Sequence, residues 1–170
     1  MHLQQTSPQG LGWDAATAEA QLLALMEGEP DALANLANAT ALIYEAVPNL
    51  NWAGFYLMRG DELVLGPFQG GVACVRIAVG SGVCGTAVAE GVTQRVDDVH
   101  AFPGHIACDP RSNSELVVPV RNREGVIVAV LDLDSERLNN FGEGDQRAVE
   151  QLVEVLQTEI AWDQLAYDVH

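Results

Sequence analysis

The chain has 170 residues, 48% of them hydrophobic, and a formal net charge of −16. This suits one globular domain with a full-sized core and excludes a disordered chain. There is no lysine, and the eight arginines are scattered, which excludes a Walker P-loop, a Schiff-base enzyme and a Ser-Lys hydrolase and leaves no basic face for a nucleic-acid partner.

Residues 1–13 read as a flexible tail, and residues 14–170 as one domain. The stretch MHLQQTSPQGLGWDAA has neither the basic end nor the apolar run of a signal peptide. No apolar segment approaches the ~20 residues of a membrane span. The expectation is a cytoplasmic protein with no membrane partner.

Residues 14–27 predict a helix with Leu22, Leu25 and Met26 on one face. Residues 30–47 predict a second, with Pro30 in its first turn. Its apolar stripe is Leu33, Leu36, Ala37, Thr40, Ile43 and Val47, and Pro48 ends it. Strands follow at 51–58 and 62–68 around the turn Arg59-Gly60-Asp61, with a short third strand at 76–79. Residues 86–90 allow only a brief helix. Residues 97–114 are polar and rich in turn formers, a long loop of the kind that often carries function. Strands at 115–120 and 126–134, joined by RNREG, make a hairpin, and a helix over about 143–161 closes the chain with Val149, Leu152, Val153, Leu156 and Ile160 on its apolar face. Hairpins outnumber crossovers, so the fold class is α+β with a mostly antiparallel sheet.

Three stretches carry chemistry. The first, GSGVCG at 80–85, matches the G-x-G-x-x-G dinucleotide fingerprint. Its helix is too short for a βαβ crossover, and Asp97 and Asp98 lie too near to be the ribose acid. The glycines more simply let the backbone turn tightly around Cys84.

The second is the cysteine set, Cys74, Cys84 and Cys108. An odd number argues against a structural disulfide framework. Three buried apolar thiols are one reading. Reactive thiols are the other, because Cys108 follows His105 by three residues in GHIACD, and a nearby histidine lowers a thiol pKa whereas Asp109 opposes this. A metal site from the three cysteines and His105 is disfavoured: the gaps of ten and 24 residues between cysteines fit no C-x-x-C pattern. No metal and no bound cofactor are expected.

The third is the strand VIVAVLDLD, where alternation puts Asp132 and Asp134 in line with Val126, Val128 and Val130. Glu115 starts the partner strand roughly opposite. Either the strand end emerges into solvent, or the acids form a pocket for a cation or a protonated carboxyl. Trp52 and Tyr56 of NWAGFY are either ordinary core or walls for an ammonium group.

The segments NWAGFYL (51–57), LVLGPFQGGVAC (63–74), GSGVCGTA (80–87), VDDVHAFPGHIACD (96–109), SNSELVVPV (112–120) and VLDLDS (130–135) run in order over most of the chain. Together they resemble the free methionine-(R)-sulfoxide reductases, a family built on a GAF domain. The resemblance implies a central, mostly antiparallel sheet with helices on one side, and a homodimer. It implies reduction of free L-methionine-(R)-sulfoxide by attack of Cys108 on the sulfoxide sulfur, leaving a sulfenic acid. It further implies that Cys84 condenses with that sulfenic acid, with Cys74 as an alternative or additional resolving thiol, and that thioredoxin reduces the resulting disulfide. Trp52, Tyr56, Glu115, Asp132 and Asp134 would line the substrate pocket, with Asp134 also assigned a catalytic role. The rival reading is a non-catalytic GAF sensor of a small molecule.

Overall fold

A computed structural model describes residues 11–106 and 108–166. Two helices start where a carboxylate caps them. Asp14 accepts from the Thr17 N–H at 3.0 Å and opens α1 (Ala15–Met26). Asp31 accepts from the Ala34 N–H at 2.8 Å and opens α2 (Ala32–Ala46). Pro30 therefore lies before the cap and not in the first turn. The buried face of α2 is Ala32, Asn35, Leu36, Ala39, Thr40 and Ile43, whereas Leu33 and Ala37 are exposed. In α1, Leu22 and Met26 are buried and Leu25 is exposed. Both helices are apolar over more than one stripe, so periodicity alone left the inward face open.

Among the described residues six strands follow: β1 (Leu50–Arg59), β2 (Glu62–Gly70), β3 (Arg76–Ala78), β4 (Gln94–Val96), β5 (Ser114–Arg121) and β6 (Ile127–Ser135). They form one sheet in the order β3-β2-β1-β6-β5-β4, every neighbouring pair antiparallel. The α+β reading therefore holds. β4 was not legible in the sequence, because three residues are too few to show a period.

The sheet separates two cores. On one face Ala53, Phe55, Leu57, Leu116, Val118, Ala129, Leu131 and Leu133 pack against α1, α2 and α4 (Glu143–Glu159). On the other face Trp52, Tyr56, Val117 and Val130 pack against Val83, Cys84 and Ala87 of α3 (Gly82–Glu90). β3 and β4 are opposite edges of the sheet, so the chain between them must cross it, and α3 is that crossing. Three helices thus share one side, as expected, and α3 roofs the other.

The segment read as a tail is packed at its end. Leu11 and Trp13 are buried, and the Trp13 indole donates to Asp145 at 2.9 Å at the start of α4. Residues 1–10 and 167–170 of the expected tail and domain lie outside the described residues. Among the described residues no helix is long and apolar enough to cross a membrane.

Gly54 and Gly70 make room for Trp52 on the roofed face. A Cβ at Gly54 would come within 2.6 Å of the Trp52 ring and 2.5 Å of the Phe68 Cβ. One at Gly70, which has φ +123°, would come within 2.8 Å of the same indole. Gly54→Ala should therefore cost about 1–3 kcal/mol, the range for overpacking, read as a lower urea midpoint at unchanged slope.

Candidate active site

The roofed face holds a pocket between the sheet, α3 and the 105–112 loop. Its walls include Trp52, Tyr56, Cys84, His105, Cys108, Glu115, Asp132 and Asp134. Register explains why the acids meet. Glu115 is directly opposite Asp134, and Asp132 is opposite Val117, two residues along on the same face. On its other side β6 pairs Asp134 with Trp52 and Asp132 with Gly54. Trp52, Gly54 and Tyr56 of β1 and Val130, Asp132 and Asp134 of β6 therefore share the pocket face with Glu115.

The aromatic wall is fixed by stacking and hydrogen bonds. Trp52 stacks on Tyr56 at 5.8 Å and on Phe68 at 5.4 Å. Its indole donates to the Gly71 carbonyl at 3.1 Å, and the Tyr56 hydroxyl donates to the Cys74 carbonyl at 2.9 Å. Those two bonds pin the 71–75 segment to the sheet and so place Cys74 at the pocket mouth. Burial, followed by the charge of Asp132, pushes the Tyr56 phenol upward, so it remains a donor.

The 105–112 loop is tied from below. Asn51 donates to Asp109 at 3.1 Å and to the Ser112 hydroxyl at 3.0 Å. Arg111 also holds Asp109, at 2.9 and 3.1 Å, and its hydrogen bond is the main cause of the lowered Asp109 pKa. The Asp109 charge that the sequence set against thiol ionisation is therefore compensated by Arg111. His105 lies edge-on to His100 at 6.3 Å, and burial followed by His100 lowers its pKa. Its ring favours the neutral form, suited to accept a thiol proton.

The cysteines divide two against one. Cys74 and Cys108 are joined by a disulfide with their Cα atoms 5.4 Å apart. Cys84 is free and buried in the first turn of α3, its thiol donating to Glu115 Oε1 at 3.9 Å. Burial, then Asp132 and Glu115, push its pKa well up. The bond to Cys108 thus comes from Cys74, the alternative resolving thiol, and not from Cys84. The reason is placement: the glycine turn fixes Cys84 at the pocket floor, with Gly80 and Gly82 at φ +88° and +62° and a Cβ at Gly85 only 2.4 Å from the Ala78 carbonyl oxygen.

Among the described residues, Glu115 and Asp132 are buried without a cationic partner, and no arginine lines the pocket. Burial raises the pKa of Glu115, Asp132 and Asp134, and mutual repulsion adds to the rise for Glu115 and Asp134. The solvent-edge reading of this strand end is excluded for Asp132. A helix roof, an aromatic wall, a carboxyl cluster whose burial favours the protonated forms and a disulfide at the mouth make a site suited to thiol redox chemistry on a small polar molecule.

The GAF domain family model matches residues 34–160. A free methionine-R-sulfoxide reductase of Escherichia coli is 56% identical over 140 residues, covering 81% of this chain and 83% of that protein. The chain belongs to the free methionine-R-sulfoxide reductases, within the GAF domain family. The reductase from Neisseria meningitidis, solved in complex with its substrate, is 41% identical, superposes with a TM-score of 0.86 and covers 98% of each chain. A reductase of Saccharomyces cerevisiae is 43% identical over 139 residues, covering 78% of this chain and 77% of that protein.

Every residue that the resemblance placed in a reductase pocket lines this one: Trp52, Tyr56, Cys84, Cys108, Glu115, Asp132 and Asp134, with Cys74 bonded to Cys108. Sequence reasoning did not find Asn51, which ties Asp109 and Ser112 to β1, or Ile106, whose side chain meets Gly82. Neither residue type carries a chemical signal on its own.

The carboxyl cluster has a stability signature. A carboxyl with a raised folded pKa favours the folded state fully below its unfolded pKa, and that contribution is lost as pH rises through the folded value. Glu115→Gln should therefore gain thermal stability relative to the wild type as pH rises from 4 to 8. Calorimetry at four or five pH values reads this, and a pH-independent difference would mean that Glu115 is not protonated in the fold.

Proposed function

We propose that this protein reduces free L-methionine-(R)-sulfoxide to L-methionine with Cys108 as nucleophile and Cys74 as resolving thiol. The observation that carries the reading is the Cys74–Cys108 disulfide at the mouth of an acidic, aromatic-walled pocket in a chain that belongs to this reductase family.

The steps balance as follows. The Cys108 thiolate attacks the sulfoxide sulfur while a pocket carboxyl protonates the sulfoxide oxygen, which is otherwise a poor leaving group. The oxygen ends on Cys108 as a sulfenic acid and methionine leaves, its sulfur reduced by two electrons. The Cys74 thiol then attacks that sulfur, forming the disulfide and releasing water. A dithiol reductant, thioredoxin in this reading, restores both thiols by exchange and becomes a disulfide itself. No bound cofactor takes part. Exposed Val72 and Val75 flank Cys74, and half-exposed Ile106 lies close to Cys108, so the bond sits where a protein reductant can approach.

The pocket suits a free amino acid. Glu115, Asp132 and Asp134 hold the ammonium group and present a proton to the sulfoxide, and Trp52 and Tyr56 cover the methyl end. Ser81, Gly82 and Val83 bring the start of α3 to the pocket wall, where its free N–H groups favour a substrate carboxylate. A peptide-bound residue lacks both end charges and has chain where the wall stands, so it is rejected. The protein acts in this reading as a cytoplasmic homodimer.

Methionine release should be seen from the free R epimer and not from the S epimer or an N-acetylated substrate. Absence of turnover by fully reduced protein would favour the sensor reading. Cys108→Ser should abolish release. Cys74→Ser should release about one methionine per chain and then stall with thioredoxin, whereas Cys84→Ser should continue through many turnovers. The reverse pattern would return the resolving role to Cys84. Glu115→Gln or Asp134→Asn should lower kcat at least ~100-fold, the lower range for acid catalysis.

A further inference from the structure

Cys84 takes no part in the disulfide, and its surroundings have a second use. The thiol of Cys84 and one carboxylate oxygen each from Glu115 and Asp132 lie within 4.8 Å of one another. The three residues are only 4%, 6% and 5% exposed. Asp132 Oδ1 is buried and has no hydrogen-bond partner, a costly state for a carboxylate that calls for a donor or a cation. Cys84 Sγ and Glu115 Oε1 are 3.9 Å apart. Two ligands of a tetrahedral zinc, at ~2.3 Å for sulfur and ~2.1 Å for oxygen, stand about 3.6 Å apart. That pair therefore needs only a few tenths of an ångström of adjustment, and no pair among the three ligand atoms is more than 4.8 Å apart.

We propose that the floor of the pocket is a divalent-cation site in which Cys84, Glu115 and Asp132 hold a zinc ion, with the fourth position open to the pocket. One thiolate with two carboxylates suits zinc over the harder magnesium or calcium. The bound ion displaces the Cys84 proton to solvent. The three ligands come from three elements, α3, β5 and β6, so the site exists only in the folded chain. It shares Glu115 and Asp132 with the proposed substrate site, so zinc and methionine sulfoxide exclude one another and the ion is a reversible inhibitor. Only this last consequence rests on the proposed function.

The test uses the oxidised protein, in which the Cys74–Cys108 disulfide removes both other sulfurs as ligands. Titration with zinc chloride against a chromophoric chelator should give one site per chain. Cobalt(II) should show a thiolate-to-metal charge-transfer band that Cys84→Ser removes. Cys84→Ser and Asp132→Asn should each weaken zinc at least tenfold while keeping the wild-type far-ultraviolet circular dichroism, and His105→Ala should leave the affinity unchanged. Zinc affinity no better than millimolar, a cobalt complex without a thiolate band, or binding lost in His105→Ala but kept in Cys84→Ser would overturn the site. With reduced enzyme, zinc should raise the KM for the sulfoxide and leave kcat unchanged. A direct site without this competition would keep the zinc site and remove the overlap with substrate, whereas competition without a direct site on the oxidised protein would overturn it.

Discussion

The burial of Glu115 and Asp132 beside the half-buried Asp134, with no lysine in the chain and no arginine among the described residues of the pocket, is the constraint on which the rest of the structure depends. Glu115 and Asp132 are held under α3 by the strand register, and neither can escape to water without breaking the β5–β6 ladder. The arrangement disfavours the charged forms and therefore favours whatever brings a proton or a positive charge. A native fold keeps such a cluster when its ligand supplies what the protein withholds. Every other feature of the pocket serves that exchange: α3 excludes water from above, Trp52 and Tyr56 close the side, and the 105–112 loop carries the thiol to the mouth.

The sheet order provides the geometry. With β3 and β4 at opposite edges, the chain between them must span the whole face, and this forces a helix over the acids. The glycines of GSGVCG are the cost of that crossing. Gly80 and Gly82 take positive φ, and Gly85 lies against the Ala78 carbonyl, so the helix can begin immediately beyond the edge strand. What resembles a nucleotide fingerprint is the bend that brings the roof over the pocket.

The two sulfur environments follow from the same layout. Cys74 and Cys108 sit half-buried on irregular segments at the rim, where their side chains reach each other. Cys84 is on a helix facing the carboxyls, and burial together with their charge keeps it a thiol. A protonated, buried thiol is a poor attacking group. The division between a disulfide-bonded pair at the mouth and a buried third thiol at the floor is thus electrostatic as well as spatial.

The sequence by itself determined the α+β class, the strand hairpins and the alternation that aligns Asp132 with Asp134, because these depend on local period and on residues close along the chain. Its ordered motifs also carried the likeness to the reductase family, and with it the identity of the pocket residues. It left open which stripe of α2 faces inward, since Leu33 and Leu36 are equally apolar and only the sheet and α1 choose between them. It did not reveal β4, which exists because β5 offers an edge, nor the burial of Leu11 and Trp13, which depends on α4 more than a hundred residues away. The tertiary structure decided the sulfur pairing. Spacing along the chain treats Cys74 and Cys84 alike as partners for Cys108, but the Tyr56 and Trp52 hydrogen bonds hold the 71–75 segment at the mouth while the glycine turn commits Cys84 to the floor. Distance in space, set by which strands are neighbours, selects the bond.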